Sequence, residues 1–328
     1  KMGNSIFYYL LEFSFELVWI CSEAADVDKI TRQFGKRLRR SFDAGIIDRA
    51  KHDKLLATPI TTDVNALKDC DLIVEAIPEE PGLKMKLFDR LDKIVKPGAI
   101  FTSNSSSINP SRLMPEPANS RQIAGLHFFY PVPLKNIVEV TFASSATTQT
   151  RAAIESFLDA IRRRFITLDE HNSFILNRIF LDFQNEAFLI VQEGGGSFIQ
   201  MDQLVRKHFF PFGVFDFCDS VGLDTMLASI ENYTLNDPGK DKYAEFLSVI
   251  AGLVSSGKLG IKTQAGFYRY PLEESGTDLP LESPEIITRL HRAWLSACNE
   301  FTARSSVPHE LMNEAIKEYF GIDKGPFM

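Results

Sequence analysis

Cysteine is scarce in this chain of 328 residues, and the few that occur are scattered. Cys21, Cys70, Cys218 and Cys298 form no C-x-x-C pair, and no histidine cluster stands at metal-ligand spacing. This spacing argues against both a disulfide framework and a zinc site. We therefore expect free thiols in a reducing compartment, a cytoplasmic location and no bound metal.

The chain also lacks a long uncharged apolar run and an excess of basic residues. Its most apolar early stretch, Ile6 to Cys21, is interrupted by Glu12 and Glu16, whereas a membrane span needs about 20 apolar residues. The formal net charge is −7, and nucleic-acid binding requires a basic field. We expect neither a membrane nor a nucleic acid as partner.

Glycine is missing where a dinucleotide-binding fold places it. Such a fold opens with a strand and the motif G-x-G-x-x-G, of which only the final glycine, Gly3, is present here. Gly3 is followed by a predicted helix, Ile6 to Phe13, and a predicted strand, Leu17 to Cys21. Because the first strand of a doubly wound sheet is central, we expect the natural protein to continue upstream of Lys1.

Strand and helix patterns alternate along the first half of the chain. Apolar runs at Leu72 to Ile77 and at Ala99 to Phe101 are typical of strands buried in a parallel sheet. A helix near Thr148 to Arg162 and a strand near Arg164 to Leu168 follow. The pattern predicts an α/β fold with a Rossmann-type doubly wound parallel sheet in residues 1–170.

The pattern then becomes helical. Apolar residues recur at helix spacing from Phe174 to Val191, and the glycines after Glu193 end that helix. We expect an all-α domain over residues 171–272 and a partial second copy of it over 273–328. The copy is indicated by a loose alignment, with one inserted residue, of Asn185-Glu186, Met201-Asp202 and Gly213-Val214-Phe215 with Asn299-Glu300, Met312-Asn313 and Gly325-Pro326-Phe327.

The candidate catalytic residues lie in the window between Ile100 and Phe142, where polar residues follow or interrupt apolar segments. The turn Ser103 to Ser107 follows a predicted strand, and open α/β sheets bind ligands where strands end. His127 and Glu139 lie on two short apolar segments separated by prolines. A carboxylate beside an imidazole fixes its tautomer and leaves the other nitrogen free to accept a proton. Considered singly, a strand histidine is more often structural than catalytic, and the serine turn is equally consistent with a surface loop.

The same window resembles the NAD-dependent L-3-hydroxyacyl-CoA dehydrogenases. Their patterns S-N-T-S-S, G-L-H-F-F-N-P-V-P and V-E-V correspond here to SNSSS at Ser103 to Ser107, GLHFFYPVP at Gly125 to Pro133 and VEV at Val138 to Val140. The resemblance extends over nearly the whole chain. It implies an oxidoreductase of fatty acid metabolism (beta-oxidation) that interconverts an L-3-hydroxyacyl-CoA and its 3-ketoacyl-CoA.

The resemblance also implies roles for individual residues. His127 would take the proton of the 3-hydroxyl, and Glu139 would orient that histidine. Ser106 matches a serine that contacts substrate and cofactor, and Asn177, in F-I-x-N-R, matches an asparagine that helps hold the substrate. Tyr130 departs from the pattern, because the family has asparagine at this substrate-binding position.

NAD is the implied cofactor. Gly3, Glu79 and Lys84 match cofactor-binding positions, as does Lys262 in a segment resembling G-R-K-T-G-x-G-F-Y that has Gln264 in place of a glycine. Without the resemblance, Glu79 would be interpreted as a helix-start carboxylate and Lys84 as a solvent lysine.

The strand end that precedes the first long helix bears on the choice of dinucleotide. Cys21-Ser22-Glu23 places the acidic residue two positions later than NAD-binding members do, which leaves NADP open, although no arginine stands there for a 2′-phosphate.

The departures from the family pattern at Tyr130, Cys21 and Gln264 leave two other functions possible. One is a catalytically impaired relative that binds a CoA thioester as a sensor or scaffold. The other is a related sugar-acid dehydrogenase that does not need CoA. For the dehydrogenase we expect an acyl-CoA thioester as partner and a homodimer, or a monomer if the second helical copy replaces the partner.

Overall fold

The chain forms two compact units. The structure is a computed structural model that describes residues 1–114, 122–271 and 283–327. Unit 1 comprises Lys1–Asn104, Ser111–Asn136 and Ser145–Arg164, and unit 2 comprises Ser105–Pro110, Ile137–Ser144 and Phe165–Met328. The expected boundary between residues 272 and 273 lies outside the described residues.

Short strands and longer helices alternate up to residue 164. The strands are β1 (Trp19–Ile20), β2 (Ile60–Thr61), β3 (Leu72–Glu75), β4 (Ile100–Ser103) and β5 (Ile123–Phe128). The helices are α1 (Met2–Leu10), α2 (Ala24–Asp43), α3 (Arg49–Leu56), α4 (Pro81–Asp92), α5 (Pro110–Leu113) and α6 (Thr148–Ala160).

Strand pairing in unit 1 is parallel. Trp19 is paired with Ile60 in one ladder, and Leu72 with Ile100 in another. A third ladder joins β4 to β5. Because parallel strands end at the same edge of a sheet, the last residues of β3, β4 and β5 share one edge. This arrangement confirms the predicted α/β fold.

An apolar cluster holds the first helices of unit 1 together. Phe7 and Leu11 pack with Phe34 and Leu38 of α2, and the Phe7 ring lies 4.2 Å from that of Trp19. Apolar positions of α2 recur at a spacing of four residues, which places them on one helix face. The other residues of α2 are exposed or half-buried.

The boundaries predicted near the start of the chain are displaced. Helix α1 begins at Met2 and ends at Leu10, and β1 contains only Trp19–Ile20. This strand is short because its partner β2 offers only two residues for pairing. Strand β3 alternates half-buried and buried residues, so it is not buried equally on both faces.

Unit 2 is mainly helical. Its strands are β6 (Ile137–Phe142) and β7 (Arg164–Asp169), which are neighbours in a sheet. Its helices are α7 (Ile175–Gln192), α8 (Phe198–His208), α9 (Val214–Val221), α10 (Leu223–Thr234), α11 (Ala244–Ser255), α12 (Pro284–Ser305) and α13 (His309–Phe320). Helix α7 packs against α8, α9, α11, α12 and α13. Among the described residues, no helix is both long and apolar enough to cross a bilayer.

Two turns of unit 2 are anchored in the same way. The Asp202 carboxylate accepts the backbone N–H of Phe215, and Asn313 Oδ1 accepts that of Phe327, each at 2.9 Å. A Cβ on Gly213 would lie 2.4 Å from Asp202 Cγ, and one on Gly325 would lie 2.3 Å from Asn313 Oδ1. Only glycine fits at either turn. The two glycines aligned in the sequence therefore occupy turns with the same kind of hydrogen bond.

Candidate active site

Asn104 fixes the backbone beside the predicted base. Its own N–H donates to Glu75 O at 2.8 Å, and its Oδ1 accepts the N–H of Phe128 at 2.9 Å. Phe128 directly follows His127 in β5, so Asn104 ties the ends of three strands together. Asn104 belongs to the SNSSS motif, but no role for it was predicted from the sequence.

His127 is a buried residue of β5. His127 is 7% exposed, and all six residues of β5 are buried. The His127 ring lies 4.6 Å from the ring of Phe129. The chain then turns outward. Tyr130 is 50% exposed, and Lys1 Nζ lies 4.5 Å from the centre of its ring. The predicted strand position of His127 is confirmed.

A buried ion pair lies at the end of β3. Lys84 Nζ is 2.7 Å from Glu75 Oε1 and 3.4 Å from Glu79 Oε2, and the side chains of Lys84 and Glu75 are 1% and 0% exposed. Ser103 Oγ and the N–H of Ile77 also donate to the Glu75 carboxylate, each at 2.6 Å. The interpretation of Lys84 as a solvent lysine is therefore wrong. Burial of such a charge requires the partners seen here.

Glu139 is buried where α7 begins. It is 1% exposed, and its Oε1 accepts the N–H of Leu176 at 3.1 Å. The first N–H groups of a helix have no partner within the helix, and their dipole favours a negative charge. The start of α7 thus provides a binding position for the carboxylate.

Asn177 joins three segments of unit 2. Its Nδ2 donates to Ser106 O at 3.0 Å, and its Oδ1 accepts the Tyr319 hydroxyl at 2.7 Å. The neighbouring Ser107 hydroxyl accepts from Asn232 Nδ2 at 3.3 Å. The serine turn is therefore held from two helices, and the predicted residues Ser106 and Asn177 are in direct contact.

The residue before α7 has an unusual backbone conformation. Phe174 has φ 57° and ψ 39°, a left-handed conformation, and it is 2% exposed. Non-glycine residues in this region cost about 1–3 kcal/mol and cluster at functional sites. In the same segment, Ser173 Oγ donates to Asn109 Oδ1 at 2.6 Å. This places the strained residue next to the segment that carries Ser106.

The other predicted residues are found apart from these contacts. Gly3 lies in the first turn of α1, where a Cβ would be 3.7 Å from Ala76 Cβ, an ordinary contact. Lys262 is ion-paired with Asp224 and is about half exposed. Within the described ranges, no group of three His, Cys, Asp or Glu side chains could hold a metal ion.

The fold and these residues define an NAD-binding domain followed by a helical domain. Residues 1–171 match the family model "3-hydroxyacyl-CoA dehydrogenase, NAD binding domain", and residues 174–270 match "3-hydroxyacyl-CoA dehydrogenase, C-terminal domain". The chain belongs to the 3-hydroxyacyl-CoA dehydrogenase family. The predictions of family, fold, enzyme class and NAD as cofactor are thereby confirmed.

Individual relatives agree with the family models. A Deinococcus radiodurans protein named "Probable 3-hydroxybutyryl-CoA dehydrogenase" is 31% identical over 271 residues, which cover 82% of this chain and 97% of that protein. The (S)-3-hydroxybutyryl-CoA dehydrogenase of Ralstonia eutropha is 29% identical, with a TM-score of 0.69 and coverage of 82% and 95%. The Escherichia coli 3-hydroxybutyryl-CoA dehydrogenase structure shares the fold, with a TM-score of 0.80, 18% identity and coverage of 99% and 88%.

Proposed function

We propose that the enzyme oxidises an L-3-hydroxyacyl-CoA, and reduces the 3-ketoacyl-CoA, with His127 as the proton-transfer group. Glu139 orients and charge-balances this histidine. Ser106 and Asn177 provide hydrogen bonds for the reacting oxygen and the thioester. The observation that carries the proposal is the start of α7, where Leu176 holds Glu139 and Asn177 holds Ser106.

The residues expected near NAD have suitable chemistry. Ser22 and Glu23 are exposed directly after β1. The Glu23 carboxylate can accept hydrogen bonds from ribose hydroxyls, and the Ser22 hydroxyl can accept or donate one. Gly3 stands at the start of α1, where backbone N–H groups favour a phosphate. Glu79 and Lys84, with their buried partner Glu75, and the more exposed Lys262 complete the proposed set. When bound, NAD accepts the hydride released from C3 of the substrate.

The protein's own groups move the proton and exclude water. In the oxidation His127 accepts the 3-hydroxyl proton, and in the reduction it returns that proton to the forming alkoxide. Burial of Glu139 keeps water from its carboxylate. Tyr130 occupies the position where the family has an amide, and it is 50% exposed.

The test is absorbance at the reduced-nicotinamide band with acetoacetyl-CoA and NADH, then NADPH. Replacing His127 by Ala should lower turnover by about 10² to 10⁴, the usual effect of removing a positioned proton-transfer group, and should leave NADH binding intact. His208→Ala, which changes an exposed histidine of α8, is the control. Unchanged turnover in His127→Ala would remove this residue from the mechanism.

The same assay addresses the impaired thioester-binding relative. Tyr130, Cys21 and Gln264 motivate this alternative. Absence of oxidation with either dinucleotide, together with measurable binding of acetoacetyl-CoA, would favour it. In that case Tyr130→Asn should restore turnover. The cytoplasmic location, and the homodimer or monomer, stay predictions.

A further inference from the structure

We propose that Tyr319 is a positioning residue for the dehydrogenase reaction and acts by fixing the side-chain amide of Asn177. This inference rests on the proposed role of Asn177 in holding the substrate. Tyr319 lies in α13, beyond residue 270, where the second family match ends.

The hydrogen bonds determine which way the amide faces. Ser106 O is a backbone carbonyl and can only accept, so the Asn177 atom 3.0 Å from it must be Nδ2. Asn177 Oδ1 therefore faces the Tyr319 hydroxyl at 2.7 Å, and this hydroxyl donates. Without the phenol, the amide would lose the donor that holds Oδ1, and only the bond to Ser106 O would favour this orientation.

The phenol keeps the proton that it donates to Asn177 Oδ1. Burial raises the pKa of Tyr319 well above its usual value, and the charge of nearby Glu139 raises it further. Tyr319 therefore stays protonated at all pH values at which the enzyme would work. Its donation to Asn177 Oδ1 does not change with pH in that range.

Helix α13 is rigidly placed. The next residue, Phe320, is fully buried, and its ring lies 4.8 Å from Phe210 and 4.9 Å from Trp294. The ring of Tyr319 contacts Phe320 edge-on at 4.7 Å. Because such aromatic packing fixes orientation as well as distance, the Tyr319 hydroxyl is held at a defined position.

The geometry also explains how Tyr319 would influence the reaction without touching a reacting atom. Asn177 Nδ2 reaches the serine turn at Ser106, so rotation of the amide would present its oxygen to a carbonyl oxygen. The two acceptors would repel each other and displace the turn. A positioning error of this kind lowers the rate of catalysis.

The experiment is a double-mutant cycle with Tyr319→Phe and Asn177→Ala, which separates a pairwise interaction from independent effects. Tyr319→Phe should lower kcat/KM for acetoacetyl-CoA by about tenfold, with the KM for NADH unchanged. In the Asn177→Ala background the same change should have almost no further effect. Tyr243→Phe removes a different phenol of unit 2, one that donates to Asp182, and should leave the KM values for acetoacetyl-CoA and NADH unchanged.

A second readout keeps this inference separate from the proposed function. Binding of acetoacetyl-CoA, measured by calorimetry without turnover, should weaken in Tyr319→Phe and show the same non-additivity with Asn177→Ala. If the wild-type protein binds the thioester but does not turn over, the proposed function fails while this inference is still tested. Equal effects of Tyr319→Phe in both backgrounds, or no effect in either readout, would overturn it.

Discussion

Replacing Lys84 by Met should destabilise unit 1 because it leaves the Glu75 carboxylate buried without its cation. Breaking a buried pair by removing one partner costs about 3–5 kcal/mol. Ser103 Oγ and the N–H of Ile77 still donate to Glu75 in the variant. We therefore expect the lower end of that range, about 3 kcal/mol, and Met keeps the apolar stem of the lysine.

The assay is urea unfolding followed by tryptophan fluorescence. The chain has two tryptophans, so a Trp294→Phe background leaves Trp19 of unit 1 as the only reporter. Lys93→Met, at the residue that follows α4, is the control, because Lys93 pairs with Asp89 at 2.8 Å while both side chains are 70% exposed. It should change the free energy of unfolding by less than about 0.5 kcal/mol.

The double variant Glu75→Gln with Lys84→Met decides the cause. A neutral side chain in place of Glu75 no longer needs a cation, so the double variant should be more stable than Lys84→Met alone by at least about 1 kcal/mol. If both variants lose the same free energy, the lysine contributes packing and the argument from charge is refuted.

Two further predictions concern unit 2. A hydrogen bond from Arg289 lowers the pKa of Glu193, so its stabilisation is present above the ordinary glutamate pKa and is lost as pH falls through the lowered value. Calorimetry should show that Arg289→Gln lowers the melting temperature at neutral pH and that the gap between the two proteins becomes smaller in acid. A gap that does not change with pH would contradict this prediction. Ser306 ends α12 at φ 58°, so Ser306→Gly should stabilise by about 1 kcal/mol in urea unfolding. Ser305→Gly, inside the helix, should destabilise instead.

Features that depend on neighbouring residues could be predicted from the sequence. The strand predicted from the apolar run Ala99 to Phe101, the strand that carries His127, and the two ends of α7 each have a local cause. Each is an apolar segment bounded by polar residues, proline or glycine. These elements lie where the sequence placed them.

The missed features depend on distant or unusual partners. Lysine is rarely buried, and nothing near Lys84 in sequence shows that Glu75 ends a strand facing it. The role of Asn104 could be predicted only by knowing that β4 and β5 are neighbours. Tyr319 is separated from Asn177 by 142 residues, and a tyrosine on an amphipathic helix has no local signal that distinguishes it from a core residue.

The bond between α13 and the start of α7 also sets an order of events during synthesis. A ribosome adds about 5–20 residues per second, so Tyr319 emerges roughly 7–28 s after Asn177, since 142 residues separate them. Through that interval the nascent chain can assemble unit 1 and the first helices of unit 2. The amide of Asn177 is fixed only afterwards, so the role in substrate binding that we propose for Asn177 would be completed later than most of the fold.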